Sequence, residues 1–243
     1  MKFFSVFLLL ATIAIAQTVQ IPTVDLRISA PTEPAQLVKT LNIVLLLTLL
    51  VLAPSLLLVM TSFTRLIVVF AFLRQALGTQ QMPPTQLLVS LSLVLTFFIM
   101  EPAGKTAYEN GIKPYMDEKI GYEEAFDKSF APFKDFMIKN TREKDLALFL
   151  RIRGVENFQS EADITLPILL PAFMISELKT AFEIGFLLYL PFLVIDMVVS
   201  SVLMAMGMMM LPPVMISMPF KLILFILVDG WNLIVMQLVA SFK

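Results

Sequence analysis

Neither cysteine nor histidine occurs among the 243 residues. Without cysteine there are no disulfides, no thiol nucleophile and no thiolate metal site. Without histidine, most zinc and copper sites and any Ser-His-Asp triad are excluded as well. Charge is scarce too: 15% of residues are Asp, Glu, Lys or Arg. They form no basic stripe, which argues against nucleic acid as a partner. The phosphate-cradling pattern G-x-x-x-x-G-K-[ST] is absent. Nothing in the residue set asks for a cofactor or a metal.

Apolar residues fill the space these absences leave. Hydrophobic residues make up 58% of the chain and the mean hydropathy is +0.86. Several uninterrupted apolar runs are long enough to cross the hydrocarbon of a bilayer. Short alternating segments, the mark of a β-barrel, are missing. The fold class expected is therefore all-α, a polytopic helical membrane protein.

Residues 1–16 read as a cleavable signal peptide, with Lys2 as the charged start, an apolar stretch, and Ala14-Ile15-Ala16 as the cleavage site. Cleavage there puts the mature N-terminus outside the cytoplasmic membrane. Residues 17–40 contain Pro22, Pro31 and Pro34 and read as an extended extracytoplasmic leader. A first helical hairpin is expected over 41–100. Its first helix spans 41–60, interrupted by Pro54, and its return helix spans 86–100 and ends at Glu101-Pro102. Arg65 and Arg74 are the only charges between the two, which places that connection on the cytoplasmic side, with the apolar residues 66–73 continuing the helix past the headgroups.

Residues 101–163 hold ten of the eighteen basic residues and thirteen of the nineteen acidic ones, so they form one mixed-charge, extracytoplasmic insertion. Phe126, Phe130, Phe133 and Met137 share a helical face, with Pro132 kinking or dividing that helix. A second amphipathic helix starts at Thr141 as N-cap and carries Leu146, Phe149 and Leu150. Their aromatics must be buried on each other or on neighbouring subunits, and Phe149 is the candidate subunit contact.

The remaining residues, 164–243, read as a second hairpin. Pro167 and Pro171 make 164–176 a broken or interfacial segment. A third helix covers about 184–210, and a fourth covers 222–242. With four crossings both termini lie outside. Gly78 and Pro83-Pro84 share the spacing G-x4-P-P with Gly207 and Pro212-Pro213. Each set sits at the inner turn of a hairpin, where glycine tolerates helix-end angles and proline stops continuation. The pattern is either a weak internal duplication or the same turn reached twice.

Charges within apolar runs need partners or water. Lys179 and Glu183 are four apart and able to pair. Glu177 lies off their face and looks for a basic partner elsewhere, including on another chain. These three are candidate subunit contacts, or else are satisfied inside the bundle. Asp196 is an intramembrane charge with nothing near it in sequence to neutralise it. It admits a second function class, an ion-coupled transporter with Asp196 as proton site, although no second acid lies one turn away. Residues 190–222 also carry eight of the sixteen methionines, with Met208, Met209 and Met210 consecutive. Methionine is flexible and polarizable, suited to a constriction that fits partners of varying shape, and equally to filling gaps in a core.

The stretches PAFMISELKTAFEIGF (171–186) and PFLVIDMVVSSVLMAMGMMMLPP (191–213) resemble the two signature blocks of the FliP family of flagellar export-gate proteins and its injectisome relatives. RLIVVFAFLRQALGTQQMPP (65–84) and PFKLILFILVDGW (219–231) resemble the same family. The resemblance implies a non-enzymatic, pore-forming subunit of the flagellar type III secretion export gate in the bacterial inner membrane and basal body. It implies a homo-oligomer, pentameric in the family, joined by FliQ-like and FliR-like membrane subunits into a helical cone that passes unfolded proteins. It assigns Met208, Met209 and Met210 to a gasket around the closed channel. It also implies that much of the assembled protein is raised out of the lipid.

Overall fold

The structure is a computed structural model and describes residues 34–79, 82–154, 164–208 and 210–242. The expected signal peptide and most of the leader lie outside the described residues. Contacts divide the chain at Leu50–Val51, inside the first helix, and the two parts are taken separately.

In the first part, α1 (Pro34–Val59) is already helical from Pro34, so the end of the expected extended leader is helix instead. Proline suits a first helical position because its missing N–H has no partner there anyway. The helix does not stop at Pro54. Its leucines and valines from Val38 to Leu57 are exposed.

In the second part, α2 (Phe63–Ala76) is the central helix. Leu66, Val69, Phe70, Leu73 and Ala76 have no exposed surface and lie on one face at helical spacing. They meet Leu88, Ala181, Phe192, Phe225 and Leu238 from four other helices. The apolar residues 66–73, expected to be helical, lie in this helix, and its apolar face has van der Waals partners on several sides.

α3 (Thr85–Ala107) runs through Pro102 and a π-helical turn (Tyr108–Ile112) into α4 (Lys113–Met116), giving one continuous helix of 32 residues. Glu101-Pro102 therefore does not end it. α5 (Tyr122–Asn140) packs on this extension, and Gly111 permits the approach. A Cβ there would fall 2.0 Å from Ser129 Oγ and 2.8 Å from the Ala125 carbonyl. α5 is unbroken at Pro132, and α6 (Glu143–Ile152) follows. Arg142, not Thr141, is the N-cap of α6, because the Thr141 hydroxyl donates back to the Met137 carbonyl at 2.6 Å and closes α5. Of the four residues expected on one face of α5, only Met137 is fully buried; Phe126 stays 58% exposed, stacked on Phe130.

α7 (Leu166–Ala205) is one helix of 40 residues, containing Pro171 and Pro191. The expected break at 164–176 and separate third helix are one element. Each interior proline removes a ladder bond, at about 3 kcal/mol. The packing of Leu169, Ala172, Phe173 and Ala181, none with exposed surface, outweighs that loss. α8 (Pro213–Leu227) and α9 (Gly230–Ala240) replace the expected single fourth helix, bent by 66°. Asp229 takes left-handed angles (φ 51°, ψ 52°), which aspartate tolerates. Gly230 packs so tightly that a Cβ would sit 2.3 Å from the Phe225 ring.

Among the described residues, three helices are long and apolar enough to cross a membrane, or four if the bent pair is one span.

Candidate functional site

Two ion pairs tie α7 to α2 and α8. The first joins α2 to α7. Arg65 Nε donates to Glu177 Oε2 at 2.8 Å, and Nη2 donates to Oε1 at 2.5 Å. Nη1 reaches the Ser241 carbonyl at 2.8 Å and its hydroxyl at 2.9 Å, while the Phe242 ring lies 3.8 Å from Cζ. Arg65 is 3% exposed and Glu177 fully buried. The planar guanidinium matches a carboxylate two bonds at a time, and a face of it remains free to stack on an aromatic ring. Glu177 therefore finds its cation within its own chain and presents no surface to another. Arg65 is likewise not a loop charge.

The second pair joins α7 to α8. Lys221 Nζ donates to Asp196 Oδ2 at 2.7 Å, and Ser217 Oγ to Oδ1 at 2.5 Å. Nζ also donates to the Ala76 carbonyl at 3.0 Å, one of the four carbonyls that the end of α2 leaves open. A cation at a helix C-terminus is favoured by the dipole as well. Lys221 is 1% exposed. Lys221 and Ser217 are the functional side chains that sequence reasoning missed. The available signal was their spacing of four in an apolar run, which sets a donor pair on one face of α8.

A third set of bonds fixes the polar segment to α7. Arg142 Nη2 donates to Glu183 Oε2 at 2.6 Å, and its backbone N–H to Ser176 Oγ at 3.0 Å. Ser176 Oγ in turn donates to Asp145 Oδ2 at 2.6 Å. Glu183 pairs with Arg142 and not with Lys179, which points outward and is exposed. Phe149 is half-buried on α6.

The two G-x4-P-P turns have related geometry. Gly78 has φ +76° and Gly207 φ +74°. At Gly207 the Met208 N–H bonds the Leu203 carbonyl and the Gly207 N–H bonds the Met204 carbonyl, both at 3.0 Å. This is the glycine-terminated helix end in which two orphan carbonyls are satisfied at once. At Gly78 the N–H bonds the Gln75 carbonyl at 3.0 Å, and the Thr79 hydroxyl serves the Arg74 carbonyl at 3.4 Å. Pro84 and Pro212 then occupy the N-cap positions of α3 and α8, with Pro83 before the first and Pro213 opening the second. Gly78 lies against Val214, so the two turns are neighbours.

The methionines beside the second turn are not core. Met204, Met206, Met208, Met210 and Met215 are 38–99% exposed, with Met210 the most. Met209 lies outside the described residues.

The family model described as "FliP family" matches residues 46–238. The chain belongs to the FliP family. "Flagellar biosynthetic protein FliP" of Bacillus subtilis (strain 168) is 52% identical over 217 residues, which is 89% of this chain and 98% of that protein. The protein of the same name from Aquifex aeolicus (strain VF5) is 47% identical over 226 residues, 92% of this chain and 93% of its own length. The one from Cereibacter sphaeroides is 53% identical over 203 residues, 84% and 67% of the two chains.

The FliP match takes in both ion pairs apart from the stacking residues at Ser241 and Phe242, both turns, and the polar segment between them. It bears against the transporter reading.

Proposed function

We propose that this chain is a pore-forming subunit of the flagellar type III export gate, passing unfolded flagellar proteins across the bacterial inner membrane. In this reading several copies, five in the family, assemble with FliQ-like and FliR-like membrane subunits in the basal body. Residues 41–100 and 164–243 act as two helical hairpins with their turns inward. Residues 101–163 and both mature termini lie on the extracytoplasmic side. Membership of the FliP family over residues 46–238 carries the reading, and the unburied methionine end supports its finer part.

Met208, Met209 and Met210 then seal the closed channel. The exposed side chains of Met208 and Met210 are available to those of neighbouring copies. Unbranched and polarizable, they pack against one another and re-pack around an arriving polypeptide. Lys179, Glu183 and Phe149 keep their place as subunit contacts, being exposed or half-buried; Glu177 does not. Replacing the three methionines with alanine should leave the assembly intact and make the membrane leaky to small ions. Conductance equal to wild type in that variant would remove the seal. Charge reversal at Lys179 should lower recovery of the assembled complex on a native gel, and undiminished recovery would remove that contact.

A further inference from the structure

Within the apolar body of the second part, most charges are paired inside the chain: Arg65 with Glu177, Lys221 with Asp196, Glu183 with Arg142. Arg74 and Asp229 have no ion-pair partner among the described residues. Among the described residues the Arg74 guanidinium bonds only the Thr85 hydroxyl, at 2.9 Å, and the Asp229 carboxylate accepts only from the Asn232 side chain, at 3.2 Å. Their signs are opposite.

Their surroundings also match. Arg74 lines an open groove of about 630 Å³ walled by Val68, Ala71, Phe72, Phe182 and Val214. No acidic residue lines it. Asp229 sits on the protruding bend between α8 and α9, where Ile226 is 74% exposed, Leu227 78%, Val228 47% and Trp231 38%. One site is an apolar groove with a cation at its edge, and the other an apolar knob with an anion at its tip.

They stand at the same height along α7. Phe72 packs edge-on to Phe182 and over Gly185, while Ala76 is linked through Lys221 to Asp196, so Arg74 lies level with about the middle of that interval. Phe225 packs on Phe192 and α8 runs antiparallel to α7, bringing Asp229 level with the same interval. A head-to-tail contact closes into a ring when the two surfaces differ by rotation with little rise. Lys179, the one cation on α7 and likewise without an ion-pair partner among the described residues, lies roughly 15 Å further along the helix at 1.5 Å per residue.

The geometry points to a contact between copies in which the Val228–Asp229–Gly230 bend of one chain seats in the Arg74 groove of the next, with Asp229 meeting Arg74. The contact rests on the oligomeric reading above and names the surfaces it uses. Absence of native cysteine makes it directly testable. The full chain is expressed with its companion subunits as two tagged forms, one carrying Arg74→Cys and the other Val228→Cys, and treated with a short bis-maleimide. A crosslinked dimer bearing both tags is expected, with much less from Lys179→Cys paired with Val228→Cys. In parallel, Arg74→Gln and Asp229→Asn should each reduce recovered oligomer by about tenfold or more. Asparagine keeps the left-handed conformation accessible, so the second variant removes charge alone. The double variant should be no worse than either single one. An intact oligomer without the crosslink, equal crosslinking from Lys179→Cys, or additive losses would overturn this contact and leave the oligomeric reading standing. A chain that never self-associates would overturn both.

Discussion

Removing Glu177 tests most directly how the helices hold together. All five N–H groups of Arg65 point at acceptors: two at Glu177, two at Ser241, and one at Asn140 Oδ1, 3.5 Å from Nη2. Glu177→Ala leaves two of those donors and a full positive charge in a site where Arg65 is 3% exposed. Two charge-assisted hydrogen bonds at about 1.5–3 kcal/mol each give a loss of about 3–6 kcal/mol. That agrees with the ~3–5 kcal/mol typical of breaking a buried pair from one side. At about 1.4 kcal/mol per decade, the locally opened population rises by roughly two to four decades. The assay is limited proteolysis of the detergent-solubilised protein, whose cleavage rate follows that population when opening is fast. Glu177→Gln keeps the shape and one acceptor and should lose about half as much on the same bond count. Arg65→Met with Glu177→Leu leaves no uncompensated charge and should be closer to wild type than either partner's single loss. Wild-type cleavage of Glu177→Ala, or a double variant worse than the sum of the singles, would refute the pair as the clamp between α2 and α7.

Lys221→Met should destabilise by about 3–5 kcal/mol, since it strands Asp196 and uncovers the Ala76 carbonyl; adding Asp196→Asn should recover part of that loss in the same proteolysis assay. Gly111→Ala and Gly207→Ala separate crowding from backbone strain. The first meets Ser129 and the Ala125 backbone and should exceed the second, which meets open space and carries only the ~1–2 kcal/mol penalty of a left-handed residue; equal thermal shifts would contradict this. Ile175→Cys and Met204→Cys, both exposed on α7 and roughly 44 Å apart along it, should not both be shielded from a membrane-impermeant maleimide in whole cells and inverted vesicles; protection of both would refute the length argument.

Class and turns were readable in the residues because both depend on local chemistry. Long apolar runs require helices in lipid, and Gly78 and Gly207 each occupy the one conformation that glycine adopts without strain at a helix end. Proline stopped the chain as expected at Pro84 and Pro212, but helix ends were misplaced at Pro102 and Pro171, and the interruptions expected at Pro54 and Pro132 did not break their helices. Pro54, Pro102, Pro132 and Pro171 all lie inside continuous helices. Proline's cost is local and roughly fixed, and the packing that offsets it comes from residues distant in sequence. The ion pairs were hidden for the same reason. Arg65 and Glu177 are 112 positions apart, and no helical spacing connects them. The break at Asp229-Gly230 did carry a signal, since that dipeptide favours turns, but the apolar run around it reads as one span.

The length of α7 constrains how these pieces share a membrane. Forty residues extend roughly 60 Å, about twice the hydrocarbon thickness of a bilayer. Glu177 and Asp196 are 19 positions apart on it, roughly 28 Å. If one pair lay at the bilayer midplane, the other would lie well beyond the headgroup boundary. The two pairs therefore do not share one lipid depth. Exposed apolar side chains run along α7 from Ile175, 41% exposed on the chain alone, to Met204, 62% exposed, roughly 44 Å of helix. Covering so long a strip with lipid alone would need a bilayer thicker than any tilt of the helix supplies at ordinary angles. Protein must cover part of it. An assembly of copies that carries α7 partly out of the lipid satisfies the apolar strip and the buried charges together, because ion pairs enclosed by protein need not be enclosed by hydrocarbon.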